Sequence, residues 1–176
     1  MANSEALRVY AAEDALEKSS PTRALSMADA TAWITTIAEN EDSDPPALVR
    51  QKMSSDLLGL AFSDEWCIAV RKAKPTQLLL LHELAHLACA NKGHGAEFQQ
   101  QLVEYVRKYV SITHAAELAQ LLKLNQCRAA SGKHRPESWG YPTRMPSSLL
   151  TRQGLRPLLR NRFLCLPNLG IFHRDL

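Results

Sequence analysis

Residues 76–90 read T-Q-L-L-L-L-H-E-L-A-H-L-A-C-A, apolar nearly all round yet carrying His82, Glu83 and His86. A helix of this composition has no wet face and belongs at the centre of a fold. Imidazoles and a carboxylate buried there are costly without partners. A surface helix with two incidental histidines does not suit Leu79, Leu80, Leu81, Leu84 and Leu87. His82 and His86 stand four apart, which puts both rings on one helix face, one turn apart. Two nitrogens so placed can bind a single tetrahedral metal ion, and Glu83 beside them can reach a water on that ion rather than the ion itself. Shuffling this composition produces H-E-x-x-H by accident in about 1% of chains, so the pattern rests on its context.

A catalytic zinc usually takes three protein ligands and leaves one position for water. The third is expected at His94, set between Gly93 and Gly95. Glycine permits the positive φ needed to fold the chain back past the helix end. Glu97 is the rival ligand, since carboxylates also bind zinc, but it opens the next helix, where a carboxylate also suits the dipole.

The rest of the chain frames this segment. Residues 5–18 fit either a helix or a short strand around residues 7–10, and Ser19-Ser20-Pro21 breaks them. Ser26-Met27-Ala28-Asp29 reads as a capping box with Asp in place of Glu, so a helix is expected over about 27–39. Residues 39–46 form an acidic loop that reads as solvated, not as a metal cage. Short apolar runs at 48–53, 57–62 and 66–71, the last two joined by Ser63-Asp64-Glu65, predict a small antiparallel sheet. Pro75 opens the apolar helix and Asn91-Lys92-Gly93 stops it. Two helices follow, over about 96–110 with the stripe Phe98, Leu102, Val106, Tyr109, and about 112–125 with Ala115, Leu118, Leu122. The fold class expected is α+β.

Charge divides the chain. Residues 1–127 hold 12 Lys+Arg against 16 Asp+Glu, and residues 128–176 hold 9 against 2, together with five of the nine prolines. That shift predicts a globular domain over 1–127 and a basic, Pro-rich, irregular tail over 128–176. No apolar run reaches the ~18 residues of a membrane span. The charged start lacks the apolar core of a secretory signal, so a cytoplasmic location is expected, with no membrane partner. Cys67, Cys89, Cys127 and Cys165 make no C-x-x-C pair and read as buried or idle thiols.

His82-Glu83-Leu84-Ala85-His86 followed by Gly93-His94-Gly95-Ala96-Glu97-Phe98 resembles the zincin metallopeptidases, and within them the SprT-like group with H-E-x-x-H, a short linker and G-H-G-x-x-F. It is also similar to a small bacterial and phage family of metallohydrolases in which V-Y-A-A-E, as at residues 9–13, accompanies the same core. The resemblance covers roughly residues 5–125. It implies a minimal zincin-like domain: an N-terminal helix, a small sheet, a central metal helix and following helices. It implies zinc on His82, His86 and His94, with Glu83 as the base. The sequence departs in lacking the C-terminal cysteine cluster of many SprT-like proteins. Its seven residues between His86 and His94 exceed the metzincin linker, and Met145 lies in the Pro-rich tail, a poor site for a metzincin Met-turn.

The chemistry expected is zinc-assisted hydrolysis of a peptide or protein substrate, with Glu83 moving the proton. Tyr105, Tyr109 and His114 are candidate oxyanion donors, and the sequence selects none of them. By the same resemblance, residues 66–70 are expected to offer the sheet edge to an extended substrate. Two other readings stand beside this one. In the first, a non-catalytic module is stapled by zinc, with Cys89 as a fourth ligand. In the second, Arg144, Arg152, Arg156, Arg160 and Arg162 with Trp139 and Tyr141 bind nucleic acid. A solvated tail is the preferred reading of that last group, because no periodic basic face persists.

Overall fold

The computed structural model describes residues 4–55, 57–89 and 93–130. The tail residues considered for nucleic-acid binding, and Met145, lie outside the described residues.

Among the described residues, five helices and a three-stranded sheet make an α+β domain. The first helix, α1 (Ser4–Ser19), settles the choice between helix and strand at residues 5–18. Val9, Ala12 and Leu16 are fully buried, and only the helical period puts all three on one side. In α2 (Met27–Asn40) the Ser26 hydroxyl oxygen accepts the Asp29 N–H at 3.2 Å. The same hydroxyl donates to Asp29 Oδ2 at 2.7 Å, so the short Asp works as a cap partner. Ala30, Ile34 and Ile37 carry its buried face.

The sheet corrects the expectation of an antiparallel one. Strands β1 (Ala47–Arg50), β2 (Gly59–Phe62) and β3 (Cys67–Val70) lie in the order β1-β3-β2. β3 runs parallel to β1, with Ala47 beside Cys67, and antiparallel to β2, with Gly59 beside Val70. Burial gives the reason. All four residues of β3 are buried, whereas β1 and β2 are only partly so, and the most apolar strand takes the centre. The chain therefore passes from β1 to the far edge at β2 and returns down the middle. β3 is not a sheet edge, so residues 66–70 cannot offer one; β2 does, beside the next helix.

That helix is α3 (Gln77–Ala88), capped by Thr76, whose hydroxyl oxygen accepts the Leu79 N–H at 3.3 Å. Its start is stitched to residues 22–25. The Leu78 N–H donates to Thr22 Oγ1 at 3.2 Å, the Gln77 N–H to the Arg23 carbonyl and the Leu25 N–H to the Pro75 carbonyl, both at 2.9 Å. Leu78, Leu80, Leu81, Leu84, Ala85 and Leu87 are buried, so α3 runs through the core as its composition requires. α4 (Ala96–Tyr109) packs on α3, and α5 (Ile112–Ala130) packs on α4 and α1. The Ser20 hydroxyl donates to Glu117 Oε2 at 2.7 Å and Asn125 Nδ2 to the Arg8 carbonyl at 3.2 Å, tying α1 to α5. α5 continues past the composition shift at 127. Glu41, in the acidic loop, is not simply solvated: Lys108 Nζ donates to it at 2.7 Å and the Tyr109 hydroxyl donates to the same oxygen. Cys67 and Cys89 are buried free thiols. Among the described residues, no helix is long and apolar enough to cross a membrane.

Candidate metal centre

Successive turns of α3 present His82 and His86, and the turn before α4 presents His94. Their Nε2 atoms form a nearly equilateral triangle: 3.2 Å between His82 and His86, 3.2 Å between His86 and His94, and 3.3 Å between His94 and His82. These three nitrogens lie close enough to hold one metal ion.

The rings differ in protonation, and two of the three are ready for a cation as they stand. His82 Nδ1–H donates to Glu13 Oε1 at 2.7 Å, which leaves Nε2 to face the other rings. Burial opposes charge on His82, but the Glu13 carboxylate outweighs it and raises the imidazole above its ordinary range. Burial first, and then the neighbouring His82, pushes His86 down to about 3; the same causes push His94 down to about 4. Both rings are therefore neutral at neutral pH, with lone pairs free for a cation.

Two aromatic rings enclose the triangle. Phe98 on α4 lies 5.0, 4.4 and 4.8 Å, centre to centre, from His82, His86 and His94. Tyr10 on α1 stacks on His82 at 5.6 Å and meets His94 edge-on at 5.2 Å. Tyr10 and Glu13 stand three apart on one face of α1. Sequence reasoning carried them only inside the V-Y-A-A-E resemblance, because their spacing has no meaning until residues 5–18 are known to be helical.

Glu83 is 5% exposed beside this cluster. Burial pushes its carboxyl up to about 7, with His82 and the Ala61 N–H, which donates to it, pulling the other way. The carboxylate lies against β2. A Cβ on Gly59 would collide with Glu83 Oε1 and stand 2.9 Å from Cδ.

The remaining candidates are placed elsewhere. Glu97 is exposed in the first turn of α4 and is not in the cluster, and neither is Cys89. Burial, and then Glu97, raises the Cys89 thiol above its ordinary range. Gly95 is the N-cap of α4 with φ −69°, so it does not use the left-handed conformation expected of it. The Gln99 side chain, donating to the His94 carbonyl at 2.8 Å, helps to hold that turn instead. Of the suggested oxyanion donors, Tyr109 bonds Glu41 and His114 Nδ1 lies 2.7 Å from the Ser111 hydroxyl. Tyr105 is buried against Tyr109, its phenol pushed up to about 12 by burial first and then by Glu41. Tyr10 and Phe98 are the rings that touch the histidines among the described residues.

The chain matches no protein-family profile, no curated protein and no solved structure.

Proposed function

We propose that this chain is a zinc-dependent hydrolase of the zincin type, similar to the SprT-like group, that cleaves peptide bonds. The observation that carries the proposal is the Nε2 triangle with a buried glutamate beside it. Zinc–imidazole bonds of about 2.0–2.1 Å in tetrahedral coordination space their nitrogens about 3.3 Å apart. The triangle has sides of 3.2, 3.2 and 3.3 Å. Three protein donors leave a fourth position open, which is how catalytic sites differ from closed structural ones. The absence of Cys89 from the cluster weighs against a four-ligand staple.

Zinc held by these residues supplies Lewis acidity, acidifying a water and polarising a carbonyl. The chain's own residues do the rest. Glu83, buried beside the triangle, is placed to accept a proton from water and return it to the leaving amine. Glu13 orients His82 from the far side of the ring. Phe98 and Tyr10 shield the histidines on two sides, which strengthens electrostatic interactions there.

The test is elemental analysis of untagged protein purified without added metal, followed by a peptide-substrate screen. The expected result is one zinc per chain, with hydrolysis in the wild type and none in Glu83→Gln, which keeps its zinc. Folded protein that neither carries nor takes up zinc would end this reading.

A further inference from the structure

We propose that Gly59 is a positioning residue for Glu83: its bare α-carbon lets the carboxylate seat against β2 and take the Ala61 amide hydrogen. Calling the seated group a base rests on the hydrolase reading above; the seat itself does not.

The strand pairing shows which β2 amides are available. Leu58 accepts the Arg71 N–H at 3.0 Å. The register pairs Gly59 with Val70, Leu60 with Ala69 and Ala61 with Ile68. Hydrogen-bonded and non-hydrogen-bonded pairs alternate in an antiparallel ladder. The bonded pairs are therefore those of residues 58, 60 and 62, and the amides of Gly59 and Ala61 point away from β3, toward the open edge. Glu83 accepts the Ala61 N–H. A donor at a sheet edge thus meets an acceptor on the neighbouring helix.

Space is the second requirement. A Cβ at residue 59 would collide with Glu83 Oε1 and lie 2.9 Å from Cδ and 3.0 Å from Cγ. No positive φ is involved, so glycine is needed here for room, not for backbone freedom. A glycine inside a strand weakens it, and this one lies where another group must approach closely. Nor can α3 easily retreat, because Leu80, Leu81 and Ala85 lock the same helix into the core, all fully buried. A methyl group at residue 59 must therefore displace the carboxylate.

The test uses the full chain stripped of metal by chelation, so it does not depend on zinc or substrate. Hydrogen exchange at the Ala61 amide is followed by NMR in the wild type, Gly59→Ala, Glu83→Ala and the double variant. The expected result is that Gly59→Ala and Glu83→Ala each speed exchange at Ala61 by about tenfold or more, with the core amides of β3 still protected. Wild-type protection of Ala61 in Gly59→Ala would overturn the proposal. Thermal unfolding gives the second arm. Gly59→Ala should lower the midpoint when Glu83 is present and leave it nearly unchanged when residue 83 is alanine, since the colliding atoms are then gone. An equal loss in both backgrounds would mean that Gly59 serves only the strand, and would also overturn it. Zinc content, measured separately, distinguishes the two readings. A protein without zinc but with the expected coupling keeps the seat and loses the hydrolase; one zinc per chain with no coupling does the reverse.

Discussion

His82 Nδ1 lies 2.7 Å from Glu13 Oε1, a contact that joins α1 to α3 across 69 positions of sequence. It fixes the ring nitrogen that faces His86 and His94, and it makes α1 part of the candidate metal centre. An outer carboxylate of this kind typically contributes 10–100-fold to metal affinity, so Glu13→Ala should weaken zinc binding by about that factor. Glu13→Gln should fall between, because its amide still reaches the ring but lacks the charge. Competition against a chromophoric chelator measures both. Wild-type affinity in the two variants would show that α1 does not hold the ring.

Glu83 links stability of the metal-free protein to pH. Its folded carboxyl, near 7, lies above its ordinary 4.5. Such a group contributes stability that is fully present below about 4.5 and is lost as pH rises through 7. The neutral isostere in Glu83→Gln carries no such loss. The variant should therefore be the more stable protein at pH 8, by up to roughly 3 kcal/mol, with the gap closing as pH falls toward 4.5. Chemical denaturation of chelator-treated protein across this range tests it. A constant gap, or one that widens at low pH, would contradict the assignment of burial as the cause.

The sequence was most legible where pattern is local. His82, Glu83 and His86 share one helix, His94 follows within a short turn, and the Ser26 cap and the α4 stripe are written in neighbouring residues. What it did not show is long-range. Residues 5–18 space Val9, Ala12 and Leu16 as a helix would, but Leu7 and Val9 also alternate as a strand would, and the helix is settled only when the three buried residues join the core. The central place of β3, between β1 and β2, goes with its complete burial, a property of the packed molecule. Glu13 and Tyr10 become site residues only when α1 lies across α3, and Gly59 matters only because Glu83 comes to rest on it.

Phe98 should serve both the fold and the centre. It is 1% exposed and touches all three imidazoles. Phe98→Ala should cost about 3–5 kcal/mol through the cavity it leaves, and should loosen zinc as the rings lose their floor. Phe98→Leu keeps most of the apolar volume and should recover most of the stability. Denaturant midpoints and zinc titrations of the two variants separate these effects. If both lose stability but keep wild-type zinc affinity, the ring is core alone.

The number of ligands is the sharpest difference between a hydrolase and a zinc-stapled module, and three substitutions read it. His94 Nε2 stands 3.2 and 3.3 Å from its two neighbours, whereas Glu97 and Cys89 are outside the cluster. His94→Ala should therefore lose stoichiometric zinc under conditions where the wild type retains it, because a site with two protein donors falls below the three a catalytic zinc keeps. Glu97→Gln and Cys89→Ser should each hold one zinc per chain. In cobalt-substituted protein, Cys89→Ser should leave the visible spectrum unchanged, since a thiolate ligand would add an intense charge-transfer band that its removal abolishes. Loss of zinc or of such a band in Cys89→Ser would make the thiol a ligand, close the fourth position and leave Glu83 no water to act on.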